Sequence, residues 1–172
     1  RGVAHDPPGC KPAPAIFPRV QNGARGRSVL LLTPILRVLG SLLIAFSAFM
    51  LVPLLVAPNP LVQPGASFVL SLFATIFAGL VLIALSPAAK SFELDRRQGF
   101  LVTALAWFIL PAFGSLPLVG YGLSFTDAYF EAVSAMTTTG STVMTGLDAT
   151  APSILLWRSL MQAVGGVGVI VL

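Results

Sequence analysis

Three predominantly apolar stretches constrain this chain more than any other feature: about Leu36–Ala57, Ala66–Leu85 and Gly99–Gly120. Each approaches the ~20 residues that an α-helix needs to cross a ~30 Å hydrocarbon core. Only 9% of the 172 residues are charged, against roughly 25% in soluble domains, so a water-facing shell cannot be assembled from them. In hydrocarbon every backbone N–H and C=O must find a partner inside the protein, and a helix provides those partners within its own segment. The expectation is an all-α membrane protein. Pro58-Asn59-Pro60 closes the first span and Ser86-Pro87 the second, while Pro111, Gly114 and Pro117 interrupt the third, because proline cannot continue the helical hydrogen-bond ladder.

The charges act as topology signals. Arg1, Lys11, Arg19, Arg25, Arg27 and Arg37 precede or open the first span, and Lys90, Arg96 and Arg97 share the Pro87–Gln98 loop. Lysine and arginine mark the cytoplasmic side, so the N-terminus and that loop are expected inside and Tyr121–Ser153 outside. The net charge of +4 is not gathered into a basic groove, which argues against nucleic-acid binding. Residues 1–28, rich in Pro, Gly and Arg, are expected to be a disordered extension without a signal-peptide pattern. Cys10 and His5 are the sole residues of their types and build neither a disulfide framework nor a metal site. No nucleophile–base pair is visible either, so no enzyme activity is expected. A chain that begins with Arg1 and ends on Leu172 inside an apolar run reads as an excerpt of a longer protein.

The outer segment Tyr121–Ser153 carries Asp127, Glu131 and Asp148 without a Lys or Arg. Asp127–Met136 reads as a short helix, with Ser124 placed three residues before Asp127 in a capping-box-like pattern. About ten residues at 1.5 Å each span half a bilayer, as in a re-entrant pore helix. The polar run Thr137-Thr138-Thr139-Gly140-Ser141-Thr142 follows at once. A cation leaving water needs oxygens to replace its hydration shell, and stacked backbone carbonyls supply them. Gly140 permits the positive φ that turns carbonyls to one axis. The helix would aim its negative C-terminal end at the ion, and acidic residues at the mouth would concentrate cations. A plain polar turn between helices is the competing reading.

The run Asp127-Ala-Tyr-Phe-Glu-Ala-Val-Ser-Ala-Met-Thr-Thr-Thr-Gly-Ser-Thr resembles the first pore loop of the Trk/Ktr/HKT potassium transporters. Leu156-Trp157-Arg158-Ser-Leu-Met-Gln162-Ala-Val-Gly165-Gly166-Val-Gly168 resembles the start of the helix that follows it. Arg37-Val-Leu-Gly40 and Glu93-Leu-Asp-Arg-Arg-Gln-Gly99-Phe100 resemble the bacterial TrkH type. The resemblance covers about Leu36 to Leu172. It implies two leading transmembrane helices within residues 29–98 and one helix–pore loop–helix repeat within 99–172, truncated in its second helix. Four such repeats would form a pseudo-fourfold, potassium-channel-like fold. Carried onto this sequence, it implies potassium binding by the carbonyls of Thr138 and Thr139, flanked by Thr137, Gly140 and Ser141. It further implies a multi-pass protein of the bacterial inner membrane that is homodimeric at full length. Such proteins work with a cytosolic nucleotide-binding regulatory subunit of the TrkA type. Potassium would be the transported ion, with no cofactor in this chain. One filter quarter cannot close a pore alone, so the resemblance assigns potassium uptake to the longer parent.

Other residues carry competing readings. Arg158 lies about one turn into an apolar helix. It is expected either to pair with Glu131 or Asp127 and brace the pore helix, or to snorkel to the outer surface. Gly165-Gly166-Val-Gly168 lacks the spacing of a dinucleotide loop and suits close helix packing. Gln162 is expected to hydrogen-bond between helices, and Trp107 and Trp157 to pack or to anchor at the interface. Two further functions stay open: a sodium-permeable or mixed cation transporter of the same superfamily, and a membrane scaffold subunit that conducts no ion.

Overall fold

The computed structural model describes residues 24–57, 64–86 and 95–171. The Pro-rich tail up to residue 23, the Pro58-Asn59-Pro60 turn and loop positions 87–94, with Lys90 and Glu93, lie outside the described residues. The described residues form helices α1 (Ala24–Phe49), α2 (Leu51–Val56), α3 (Gly65–Ala84), α4 (Arg96–Gly114), α5 (Leu116–Tyr121), α6 (Phe125–Met136) and α7 (Pro152–Val171), with a single 3₁₀ turn at Leu147–Ala149. Three stretches among them are long and apolar enough to cross a membrane: Thr33–Val56, Gly65–Ala84 and Arg96–Tyr121.

The helix boundaries follow local chemistry. Residues 24–28, expected in the disordered extension, are the first turn of α1; no proline falls between Pro18 and Pro34 to stop a helix there. The first span breaks at Met50, and Pro53, third in its second piece, has no N–H to return to Phe49. The third span starts earlier than Gly99. The Asp95 carboxylate accepts the Arg96 N–H at 2.9 Å, and Gln98 Oε1 accepts the Asp95 N–H at 3.1 Å. This reciprocal capping box opens α4 at Arg96. Pro111 is carried inside α4, and the interruption falls at Ser115 instead, two residues before Pro117. Pro152 opens α7, where its fixed φ suits a first turn.

The packing of α3 inverts the rule for soluble helices. Besides Gly65 and Phe68, its buried positions are Ser67, Ser71, Thr75 and Gly79, while Leu70, Phe73, Phe77 and Leu80 are exposed. Lipid already satisfies large apolar side chains, so small residues take the helix–helix contact. The hydroxyls on that face satisfy themselves: Ser71 donates to the Ser67 carbonyl at 2.6 Å and Thr75 to the Ser71 carbonyl at 2.7 Å. Gly40 and Gly79 meet across α1 and α3, where a Cβ on Gly40 would lie 2.7 Å from the Gly79 carbonyl oxygen.

The core centres on Trp157 of α7, fully buried against Phe46 of α1 and Phe68 of α3 with ring centroids 5.4 and 6.1 Å away. Its indole N–H donates to the Gly114 carbonyl at 2.9 Å, the last carbonyl of α4 before the break. Of the two readings for Trp157, the structure gives packing. This core joins α1, α3, α6 and α7 and so fixes where the loop after α6 sits.

Candidate functional site

The 12-residue helix α6 packs against α7 and α4 and buries Ala128, Glu131, Ala132, Ser134, Ala135 and Met136. Ser124 is its N-cap: the hydroxyl accepts the Asp127 N–H at 3.2 Å and donates to the Asp127 carboxylate at 2.7 Å. A capping box would instead return the third side chain to the N-cap amide. Aspartate is one methylene shorter than glutamate, and here it meets the hydroxyl.

The other end of α6 folds into a Schellman motif. Thr139 N–H donates to the Ser134 carbonyl and Thr138 N–H to the Ala135 carbonyl, both at 3.0 Å. The motif requires a left-handed residue just past the helix, and that residue is Thr138, at φ 59°. Glycine usually takes this place, since a β-branched side chain at positive φ is strained. Gly140 also has positive φ, at 75°, as its residue type suggested. The left-handed Thr138 went unread in the sequence, although a position two residues past the helix end is where such a conformation is sought.

These bonds tie down amides and leave carbonyls free. Among the described residues, no hydrogen bond is donated to the carbonyls of Thr137, Thr138, Thr139 or Gly140. Residues 137–143 are exposed along this stretch. The Thr137 and Thr139 hydroxyls meet at 2.9 Å, and the Thr137 hydroxyl also donates to the Val133 carbonyl at 2.8 Å. Ser141 differs from its neighbours, because its carbonyl accepts the Ser134 hydroxyl at 2.6 Å.

Glu131 holds the far side of the loop. Its carboxylate, 0% exposed, forms an ion pair with Arg158 at 2.7 Å, the guanidinium side chain being 14% exposed. The other carboxylate oxygen accepts the Thr142 hydroxyl at 2.6 Å, the Val143 N–H at 2.7 Å and the Met144 N–H at 3.2 Å. Arg158 therefore pairs with Glu131 rather than with Asp127 and does not snorkel. The sequence left unread that Glu131 also clamps the chain at residues 142–144 as it leaves the loop. Glu131 is thus buried and paired, whereas Asp127 and Asp148 are exposed. A charge pair this deep costs desolvation, which the three additional hydrogen bonds offset.

The wall behind the loop is α7. A Cβ on Gly165 would overlap the Met136 carbonyl oxygen and lie 2.6 Å from the Met136 carbonyl carbon, so only glycine lets α7 reach the end of α6. Gly166 leaves an ordinary 3.6 Å contact to Thr138, and Gly168 faces open space. Close packing expected of all three glycines falls on Gly165 alone. Gln162 stands beside the loop rather than between helices, its amide nitrogen 3.4 Å from where a Cβ on Gly140 would sit. Gln162, Arg158 and Ser159 line a cavity of about 250 Å³ behind Gly140.

Residues 64–172 match the profile of a family described as TrkH, cation transport protein. The chain is 43% identical over 141 residues to the Trk system potassium uptake protein TrkH of Halomonas elongata, across 80% of this chain and 29% of that protein. It is 39% identical over 141 residues to the protein of the same name from Escherichia coli K12, again across 80% and 29%. Its fold is similar to the crystal structure of the potassium transporter TrkH from Vibrio parahaemolyticus, with a TM-score of 0.74 and 41% identity over 81% of this chain and 30% of that one. The chain thus spans about 29% of the length of the curated relatives it matches. These relatives are transport proteins, not enzymes.

Proposed function

We propose, because this chain belongs to the TrkH family of cation transport proteins, that it supplies one quarter of a potassium-selective filter to an inner-membrane uptake protein of its relatives' length. The carbonyls of Thr138 and Thr139 are the central ligands, with Thr137, Gly140 and Ser141 beside them. The observation that carries this reading is the set of carbonyls from Thr137 to Gly140. They accept no internal hydrogen bond among the described residues and sit at the negative C-terminal end of a half-membrane helix. Such oxygens can replace the hydration shell of potassium without first breaking a protein contact. Asp127 and Asp148 raise the cation concentration outside.

In this reading α1 to α3 are the leading helices, and α4 through α7 form the first of four helix–pore loop–helix repeats. The N-terminus and the 87–98 loop face the cytoplasm and the filter loop faces outside. A second copy of the full-length protein and a cytosolic nucleotide-binding subunit of the TrkA type are its partners, and potassium is the cargo.

The test is potassium-limited growth and uptake by the full-length transporter with and without Gly140→Ser. A serine Cβ at φ 75°, 3.4 Å from the Gln162 amide nitrogen, must distort the carbonyl ladder. The expected result is a loss of potassium-over-sodium discrimination of about tenfold or more, since selectivity depends on the number and placement of the carbonyls. Equal potassium uptake and sodium exclusion by both versions would favour the scaffold reading instead.

A further inference from the structure

We infer that Ser134, a residue of α6 that touches no ion, positions this filter quarter and sets the outer end of its carbonyl ladder; the inference rests on the filter reading above. Ser134 is buried, with 5% of its surface exposed, and it engages the loop through two different atoms. Its carbonyl accepts the Thr139 N–H at 3.0 Å and the Gly140 N–H at 3.3 Å, and the Thr137 hydroxyl approaches the same oxygen at 3.4 Å. Its hydroxyl donates to the Ser141 carbonyl at 2.6 Å. One residue thus holds the loop by amides at its middle and by a carbonyl at its outer end.

The consequence is a sorting of carbonyls. Those of Thr138, Thr139 and Gly140 have their own amides drawn to the helix or turn and no donor on their oxygens. Ser141 has its oxygen drawn to the helix. A carbonyl engaged by a buried hydroxyl on the helix side offers less to an ion on the opposite side, because a short hydrogen bond must be weakened to turn it. Ser141 therefore closes the ladder in this quarter, and Gly140 is its outermost free carbonyl. The serine at position 134 fits this use. Its side chain is short enough to bond across the gap, and its own backbone carbonyl lies one turn above the helix end, where orphan acceptors await donors.

Alanine at this position removes the hydroxyl and keeps the backbone carbonyl, while threonine keeps both. The experiment measures rubidium uptake against competing sodium in liposomes holding the full-length transporter, with the amount of folded protein followed by size-exclusion chromatography. Ser134→Ala is expected to lower discrimination against sodium about tenfold at unchanged folded amount, the scale of one buried hydrogen bond. Ser134→Thr should keep discrimination within about twofold, as its hydroxyl can make the same bond. Gly140→Ser serves as the control for the filter itself. Retained discrimination in Ser134→Ala alongside its loss in Gly140→Ser would overturn the role of Ser134 and leave the filter standing. Retention in both would remove the filter reading and this inference with it. Loss of folded protein in both Ser134 variants would make the residue structural only and equally overturn the inference.

Discussion

Between α1 and α3 the backbones approach because side chains are missing, whereas around α6 the backbone is held by polar groups that are present. Gly40 and Gly79 face one another, and the hydroxyls of Ser71 and Thr75 return to their own helix. The Ser86 hydroxyl reaches across that face to the Thr33 carbonyl at 2.7 Å at one end, and that of Thr75 to the Met50 sulfur at 4.0 Å at the other. At α6, by contrast, the Ser134 hydroxyl donates into the loop and the Glu131 carboxylate accepts from it, at residues 7 to 13 positions away. The first contact is close but non-directional, and it sets the distance between two helices. The second is directional and sets which way individual carbonyls point. A filter needs the second kind.

The contrast breaks most forcefully at the charge pair. Glu131→Gln keeps a side-chain oxygen for Thr142, Val143 and Met144 but strands the Arg158 guanidinium in a site where its partner was fully buried. Breaking one member of a buried pair costs about 3–5 kcal/mol. The expected result is a marked fall in the thermal stability of the full-length protein and in its selectivity. Arg158→Gln added to Glu131→Gln should recover part of the loss, since no uncompensated charge remains. Unfolding curves for the two single variants and the double variant form the cycle that decides. Single variants as stable and selective as the parent would show that the pair holds nothing.

A methyl group on the leading helices sharpens the comparison from the other side. A Cβ on Gly79 would lie 2.8 Å from Ile44 Cγ1 and 2.9 Å from the Gly40 carbonyl oxygen. The isoleucine can turn, but the carbonyl is backbone, so Gly79→Ala must separate the helices slightly at a cost of about 1–3 kcal/mol. Stability and membrane abundance should fall while potassium-over-sodium discrimination stays unchanged, because none of the carbonyls proposed as filter ligands is tied to this contact. A change in discrimination would mean that the spacing of α1 and α3 is transmitted to the loop.

How far the sequence disclosed these two regions follows from the same physics. Apolar length and proline placement located the three spans to within a few residues, because hydrocarbon thickness and the missing proline N–H act locally. The start of α4 was read late because Asp95 and Gln98 look like ordinary loop residues until their reciprocal bonds are seen. The buried face of α3 was not visible to a rule that seeks large apolar residues inside, since lipid removes that preference. At the loop, residue types suggested Gly140, Arg158 and an acidic partner. The triple acceptor role of Glu131 and the double role of Ser134 depend on a chain reversal that places residues 141–144 back beside α6, and no helical or strand periodicity encodes that.

Thr138 yields the smallest expected effect and the finest distinction. A β-branched residue in the left-handed region, φ 59°, carries strain of about 1–2 kcal/mol. Glycine would release that strain but lose about 0.5–1 kcal/mol through its greater freedom in the unfolded chain. Thr138→Gly should therefore raise stability by no more than about 1.5 kcal/mol, visible as a shift of a few degrees in unfolding temperature. Selectivity should move the other way. Glycine at this position leaves other backbone conformations open, so the carbonyls on either side of it lose their single orientation. A variant slightly more stable and less selective would show that strain at Thr138 is kept because it fixes direction, as the polar contacts of α6 do. A variant that loses both would show that the threonine side chain, packed toward α7 near Gly166, stabilises the loop by contact and that the left-handed turn costs it little.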